Sequence, residues 1–331
     1  MDSQVYTEKQ IHDFDLYSYF YGLVRQIPKG KITTYGALAR ALGDVVASRA
    51  CGHMLSINPH PDVTPCYRVV KSDGSVWKFT HALGVAEKER RLNADGIRIN
   101  DGKIEDFENV LFDNFVSCYP LEKMKEWQNR ARDKLVINDD YTSIKMGAVD
   151  VSYDDHFGYG SFVFEENGNL KVKNAVMPVH FPYIPGYLAF REFKFIRELC
   201  KGFEGILLVD ANGYLHPRRI GLASYAGVMM DIPTIGVAKS LLLGKRNGRW
   251  IDVDGEKVAY AVNEKTIVSA GHRVSLETSL SILRERYGER YPDLLKQAHN
   301  ATVKLRTENA PIYLEELAGK SGSPENSVQL E

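Results

Sequence analysis

Cys66 stands in the run "TPCYRVV", residues 64–70, between a proline and an arginine. A thiol attacks only as thiolate, and with an ordinary pKa of about 8.5 an unassisted cysteine is mostly protonated at neutral pH. The residue after it, where a base would serve, is Tyr67. A second set of reactive groups lies further along. Asp150 sits inside the apolar strand pattern "GAVDVSY", Asp210 ends another in "ILLVDANG", and Glu192 falls in a helical pattern after "PYIPG". A carboxylate buried in a strand needs a cation or a local hydrogen bond. Each Asp is therefore either a strand-end turn former or, with Glu192, part of a hard-cation site for Mg²⁺ or Mn²⁺.

The elements that must hold these groups form two textures. "FDLYSYFYGLVRQI" has helical spacing and stops at Pro28-Lys29-Gly30. Thr33 or Thr34 caps a helix through "YGALARAL" that Gly43 ends, and "ASRACGHMLSI" fits a second short helix, broken by "NPHP". Two short helices across a glycine turn are the pattern of a helix-turn-helix. A charged, irregular stretch follows, with a helix at "LEKMKEWQNRARDKLV". After it "IKMGAVDVSYD", "GYGSFVFEE", "LKVKNAVMPVHF" and "GILLVDANG" read as strands, with a helix at "YLAFREFKFIRELC" before the last. That order indicates an α/β or α+β domain around a central sheet.

The chain has 331 residues, 44% hydrophobic and 26% charged, with a net charge of −1. It is long enough for two cores. The charge stays near balance on either side of residue 115, so any nucleic-acid contact must come from local patches such as Arg25, Lys29 and Lys31, or Arg218-Arg219. Four dispersed cysteines, a polar start and no long apolar run indicate reduced thiols, a cytoplasmic location and no membrane partner. The polar tail "GKSGSPENSVQLE" is expected to be disordered.

"PYIPGYLAFRE", "VDANGYLHPRRIGLAS", "IGVAKSLLLG" and "SAGHRVSLETSL" together make the second half resemble endonuclease V, a deaminated-base repair nuclease with a ribonuclease-H-like fold. The resemblance covers roughly residues 142 to 310. It implies cleavage at the second phosphodiester 3′ to deoxyinosine. Asp150, Glu192 and Asp210 become the metal-binding carboxylates, for Mg²⁺ with Mn²⁺ as a substitute. Lys239 would stand near the scissile phosphate, and His299 takes the position of a late catalytic histidine, with His272 as its competitor. Pro182, Tyr183, Ile184 and Pro185 form a stiff apolar tip suited to a DNA wedge, because each proline fixes φ. Gly213, His216, Arg218 and His272 are expected to contact base or phosphate. Tyr225 replaces a histidine common in the family. The inserted "KRNGRWIDVDGEK" contains "DVDGE", which is too short for a calcium loop and reads as a hairpin turn.

The first half, residues 14 to 98, resembles the DNA-binding and active-site domain of the O6-alkylguanine-DNA alkyltransferases, through "GLVRQIPKGKITTYGALARALG" and "RACGHMLSINPHPDVTPCYRVV". The resemblance makes Cys66 a single-use alkyl acceptor, with Tyr35 and Arg49 handling a flipped nucleotide and Asn58 supporting the turn. Tyr67 and Asp95 stand where the family has its histidine and glutamate, beside Arg68. A relay through water from the thiol to Asp95 is the first candidate for deprotonation. Phe79-Thr80-His81-Ala82 replaces a glycine-containing substrate loop.

The expected organisation is a winged helix-turn-helix-like alkyltransferase domain over residues 1–115, a linker over 116–141, a ribonuclease-H-like α/β domain with a central mixed sheet over 142–318, and a disordered tail over 319–331. The expected function is bifunctional DNA repair on O6-alkylguanine and deoxyinosine by a monomer without a protein partner. The alternative is a non-catalytic lesion-binding module attached to an active endonuclease V.

Overall fold

A computed structural model describes residues 7–320, with side chains described to residue 309. The expected tail lies, beyond Lys320, outside the described residues. The first half opens with the helices α1 (Glu8–His12) and α2 (Leu16–Arg25), then α3 (Tyr35–Leu42) and α4 (Ser48–Ser56). Thr34 Oγ1 accepts the Ala37 N–H at 3.0 Å to start α3, and Gly43 ends it at φ 100°. A side chain at Gly43 would also strike the backbone of Glu122, so a glycine is needed there twice over. Two-residue ladders complete this half. β1 (Thr33–Thr34) pairs in parallel with β2 (Val69–Val70), and after α5 (Gly84–Ala94) β3 (Ile99–Asn100) pairs with β4 (Lys103–Ile104). The short α6 (Phe107–Val110) follows.

The helix expected in the charged stretch is α7 (Pro120–Arg132). It buries Leu121 and Met124 in a core shared with α2, α3 and α4, and Ala131 in the core of the second half. That second half is one sheet of nine strands. In chain order they are β5 (Met146–Tyr153), β6 (Phe157–Glu166), β7 (Asn169–Pro178), β8 (Ile206–Val209), β9 (Thr234–Ala238), β10 (Lys245–Asn247), β11 (Trp250–Val253), β12 (Glu256–Asn263) and β13 (Thr266–His272). The spatial order is β10-β11-β12-β13-β9-β8-β5-β6-β7, with β5, β8 and β9 parallel and the other pairs antiparallel. The central strand β8 is buried at every position, as a strand covered on both faces must be. α8 (Leu188–Leu199) and α9 (Leu222–Met230) cover one face, while α10 (Leu276–Tyr287) and α11 (Asp293–Lys320) cover the other. The "DVDGE" segment is a tight hairpin with Asp254 at φ 56° and Gly255 at φ 84°, the backbone of a type I′ turn.

The two halves are joined by packing. Phe181, Ile184, Tyr187 and Phe190 of the second half are buried in one cluster with Phe20, Leu38, Leu42 and Met54 of the first. No helix among the described residues is long and apolar enough to cross a membrane.

Candidate functional site

Cys66 opens a single 3₁₀ turn, Cys66–Arg68, and is only 7% exposed. It lines a pocket of about 430 Å³ with Tyr35, Arg49, Trp77, Phe79 and Lys88. The Asn58 side-chain N–H donates to Cys66 Sγ at 2.9 Å. Burial pushes the thiol up to about 11, against the opposing pull of Asn58 and of the Lys88 charge. Arg49 projects exposed from α4 at the pocket mouth. The Tyr67 hydroxyl donates to Asp95 Oδ2 at 3.0 Å, and Arg68 Nε donates to the same oxygen at 2.6 Å. Burial, then hydrogen bonding to Asp95, holds the Tyr67 phenol above its ordinary range, against the pull of Arg68. In the substituted loop, the Phe79 and His81 rings stack with centroids 5.9 Å apart.

The acidic site of the second half is built by neighbouring parallel strands. Val149 and Val209 are in register, so Asp150 within β5 and Asp210 just past β8 come side by side. α11 crosses β5 and brings His299 Nδ1 to 2.8 Å from Asp150 Oδ2. Ligand atoms of Asp150, Asp210 and His299 all lie within 4.8 Å of one another. Lys239, just after β9, donates to Asp210 Oδ2. Glu192 on α8 is outside this ligand-atom cluster but interacts electrostatically with Asp150 and Asp210. Burial, then the Asp210 charge, raises the Asp150 carboxyl above the usual carboxylate range. Burial, then Asp150, raises Glu192 well above it. Three crowded acids on an oxygen-rich site with one imidazole suit a divalent cation such as Mg²⁺ or Mn²⁺. A groove of about 520 Å³, lined by Lys239, Lys265, Tyr291, Lys296 and His299, runs alongside. Tyr291 went unnoticed in the sequence because it belongs to no motif there. Burial and the Asp210 carboxylate keep its phenol protonated.

The remaining expected contacts sort differently. His272 is 3% exposed, accepts the Val136 N–H at 3.2 Å and sits apart from the acidic trio. His216 is buried with Nε2 3.2 Å from the Gly186 carbonyl, and Arg218 reaches inward to that carbonyl and to Gln128 Oε1. A side chain at Gly213 would strike the Ala270 carbonyl, so the close approach of this loop to β13 accounts for the glycine. Of the rigid tip, Tyr183 is 59% exposed and Pro185 is exposed, whereas Pro182 and Ile184 are buried. Tyr225 is buried with its hydroxyl 2.9 Å from Nε2 of His12, a residue of α1 in the other half.

Two family models match the chain. The endonuclease V model covers residues 129–300, and the DNA-binding domain model of 6-O-methylguanine DNA methyltransferase covers residues 15–97. A protein of Picrophilus torridus named bifunctional methyltransferase/endonuclease is 50% identical, over 90% of this chain and 99% of its own length. The chain belongs to this family of bifunctional methyltransferase/endonucleases. A Nanoarchaeum equitans relative named bifunctional methyltransferase-like/endonuclease is 31% identical over 87% of the chain and 91% of its own. The crystal structure of Ciona intestinalis endonuclease V, in complex with a DNA containing an inosine followed by a ribo-adenosine, is similar over 56% of this chain and 98% of that one. It has 28% identity and a TM-score of 0.51. The chain thus combines two DNA-repair-type domains, and the mixed sheet that carries Asp150 and Asp210 is the endonuclease V sheet.

Proposed function

We propose that the second half cleaves DNA at the second phosphodiester 3′ to deoxyinosine and that the first half takes an alkyl group from O6-alkylguanine onto Cys66. The observation that carries the nuclease reading is the meeting of Asp150, Asp210 and His299 beside a lysine-lined groove. Asp150, Asp210 and Glu192 or His299 would hold Mg²⁺, which when bound supplies charge neutralisation at the phosphate and activates water. Lys239, tethered to Asp210, presents an ammonium to a phosphate in the groove. His299 is placed to hold a proton at the groove wall, oriented by Asp150. Exposed Tyr183 and Pro185 are the part of the wedge left free to enter a duplex.

For the first half, the supporting observation is a nearly buried cysteine lining a pocket of about 430 Å³, with Asn58 bonded to its sulfur. Tyr35 lines the pocket as a base-contacting group, and Arg49 stands ready to fill the gap that a flipped nucleotide leaves. Lesion binding without transfer is the second reading, favoured by Tyr67 in place of histidine.

Incubation with O6-methylguanine DNA followed by mass spectrometry separates the two. A one-methyl gain on the Cys66 peptide means transfer, and tight binding without it means sensing. Cleavage of deoxyinosine DNA, compared with inosine RNA, tests the nuclease half. Cleavage unaffected by chelation would defeat the metal-dependent reading.

A further inference from the structure

The pocket around Cys66 has no histidine beside the thiol, and Asp95 is already engaged through one oxygen by Arg68 and Tyr67. A different group fills the gap. Lys88, on α5, is 1% exposed and is the one lysine or arginine buried among the described residues. Its Nζ donates to the carbonyls of Val69 at 2.6 Å and Trp77 at 3.1 Å, and no carboxylate pairs with it. Its neighbour Glu87 is bound to Arg90 and Arg91 instead. A buried ammonium without a counter-ion is costly, and a structure keeps one only where something offsets that cost. Lys88 lines the same pocket as Cys66, and each group acts electrostatically on the other.

We propose that Lys88 does the work of the missing histidine, its buried amine stabilising the Cys66 thiolate and carrying its proton. This rests on the alkyl-transfer reading of the first half. The hydrogen bonds fit either state. A neutral amine has two N–H groups for the two carbonyls and a lone pair left over, while an ammonium has a third N–H free to face the pocket that it shares with the thiol. Burial lowers the Lys88 ammonium to about 8, so that a neutral fraction exists near physiological pH, and the attraction between the two charged forms works against burial at both groups, lowering the thiol and raising the lysine. The other titratable groups that act on the thiol are the Tyr21 and Tyr35 phenols, both kept protonated by burial, with Lys71, Lys78 and Arg49 lining the rest of the pocket.

The step balances. The thiol proton passes through pocket water to Lys88 Nζ, and the sulfur pair forms the S–C bond to the alkyl carbon. The C–O6 pair leaves with guanine, and the proton held on Lys88 returns through pocket water to the departing base. No oxidant, reductant or further reactant is needed.

The test uses the full chain with Lys88→Gln and Lys88→Arg. Thiol ionisation is read from the pH dependence of Cys66 alkylation by iodoacetamide, resolved by peptide mass spectrometry. Transfer is read in single turnovers with O6-methylguanine DNA. Lys88→Gln should move the alkylation profile to higher pH by about one unit or more and slow neutral-pH transfer roughly tenfold. Lys88→Arg, permanently charged, should keep the thiol profile near wild type yet slow transfer, because it cannot take up a proton. An unchanged alkylation profile in a folded Lys88→Gln chain overturns the proposal. Should that variant not fold, unimpaired transfer by Lys88→Arg overturns proton carriage. A wild-type chain that gains no methyl group defeats the transfer reading instead, and the iodoacetamide profiles still judge Lys88.

Discussion

The Tyr187 hydroxyl donates to Asp44 Oδ2 at 2.7 Å, across the boundary between the two halves. Asp44 caps the turn that leads into α4, the helix that carries Arg49, and it also pairs with Lys125 of α7 at 2.8 Å. Tyr187 closes the "PYIPGY" segment whose tip is the candidate wedge. One hydrogen bond therefore ties the helix-turn-helix of one half to the wedge of the other. With the shared apolar core, it fixes these two elements relative to each other.

Tyr187→Phe should remove that bond and leave Asp44 with Lys125 and its capped Val46 N–H, at a cost of about 1 to 2 kcal/mol. The expected result is a single calorimetric transition, shifted down by a few degrees, because both halves share one core. Two separated transitions in the wild-type chain would contradict the shared-core account.

Asp150→Asn should reduce deoxyinosine cleavage by at least about a hundredfold, since a divalent ion's charge stabilisation is worth several kcal/mol. Methyl transfer to Cys66 should persist in the same variant. Retained cleavage would remove Asp150 from the site.

His12 and His216 are held neutral, chiefly by burial and then by Arg197 and Arg218, each with its pKa lowered to about 3. The folded chain resists protonation that the unfolded chain accepts below its ordinary pKa of about 6.5. Each histidine thus contributes stability that is fully present above that value and is lost as pH falls toward 3, by at most about 1.4 kcal/mol per pH unit. The melting temperature should fall between pH 7 and 5, and His12→Gln should flatten the slope. Parallel slopes in variant and wild type would exclude His12 from the effect.

Asn58→Ala deletes the donor on Cys66 Sγ. It should raise the thiol pKa further and slow alkyl transfer about tenfold or more, by analogy with losing one preorganised donor to a developing anion. Wild-type rates would mean that Asn58 shapes the turn only.

Tyr67→His would restore a base with a pKa of about 6.5 beside the thiol. Faster single-turnover transfer at neutral pH is expected. A large loss would show that the Tyr67–Asp95 bond holds the pocket itself together.

The sequence by itself determined many of the elements and singled out the candidate reactive groups. Helical spacing, Thr34, Gly43 and the strand patterns are local properties, and they place α2, α3, α4, α8 and β5 to β8 close to where the structure has them. Asp150 and Asp210 were legible because a carboxylate inside an apolar strand is costly enough to stand out. Only the tertiary structure decided which histidine joins them. The sequence favoured His299 and kept His272 as its competitor, and the crossing of α11 over β5 brings His299 to Asp150. It also buried Ile184 of the candidate wedge in the core shared with the first half, paired Tyr225 with His12, and set Lys88 in the Cys66 pocket. These outcomes rest on contacts between residues far apart in the chain, whose closure no local spacing encodes.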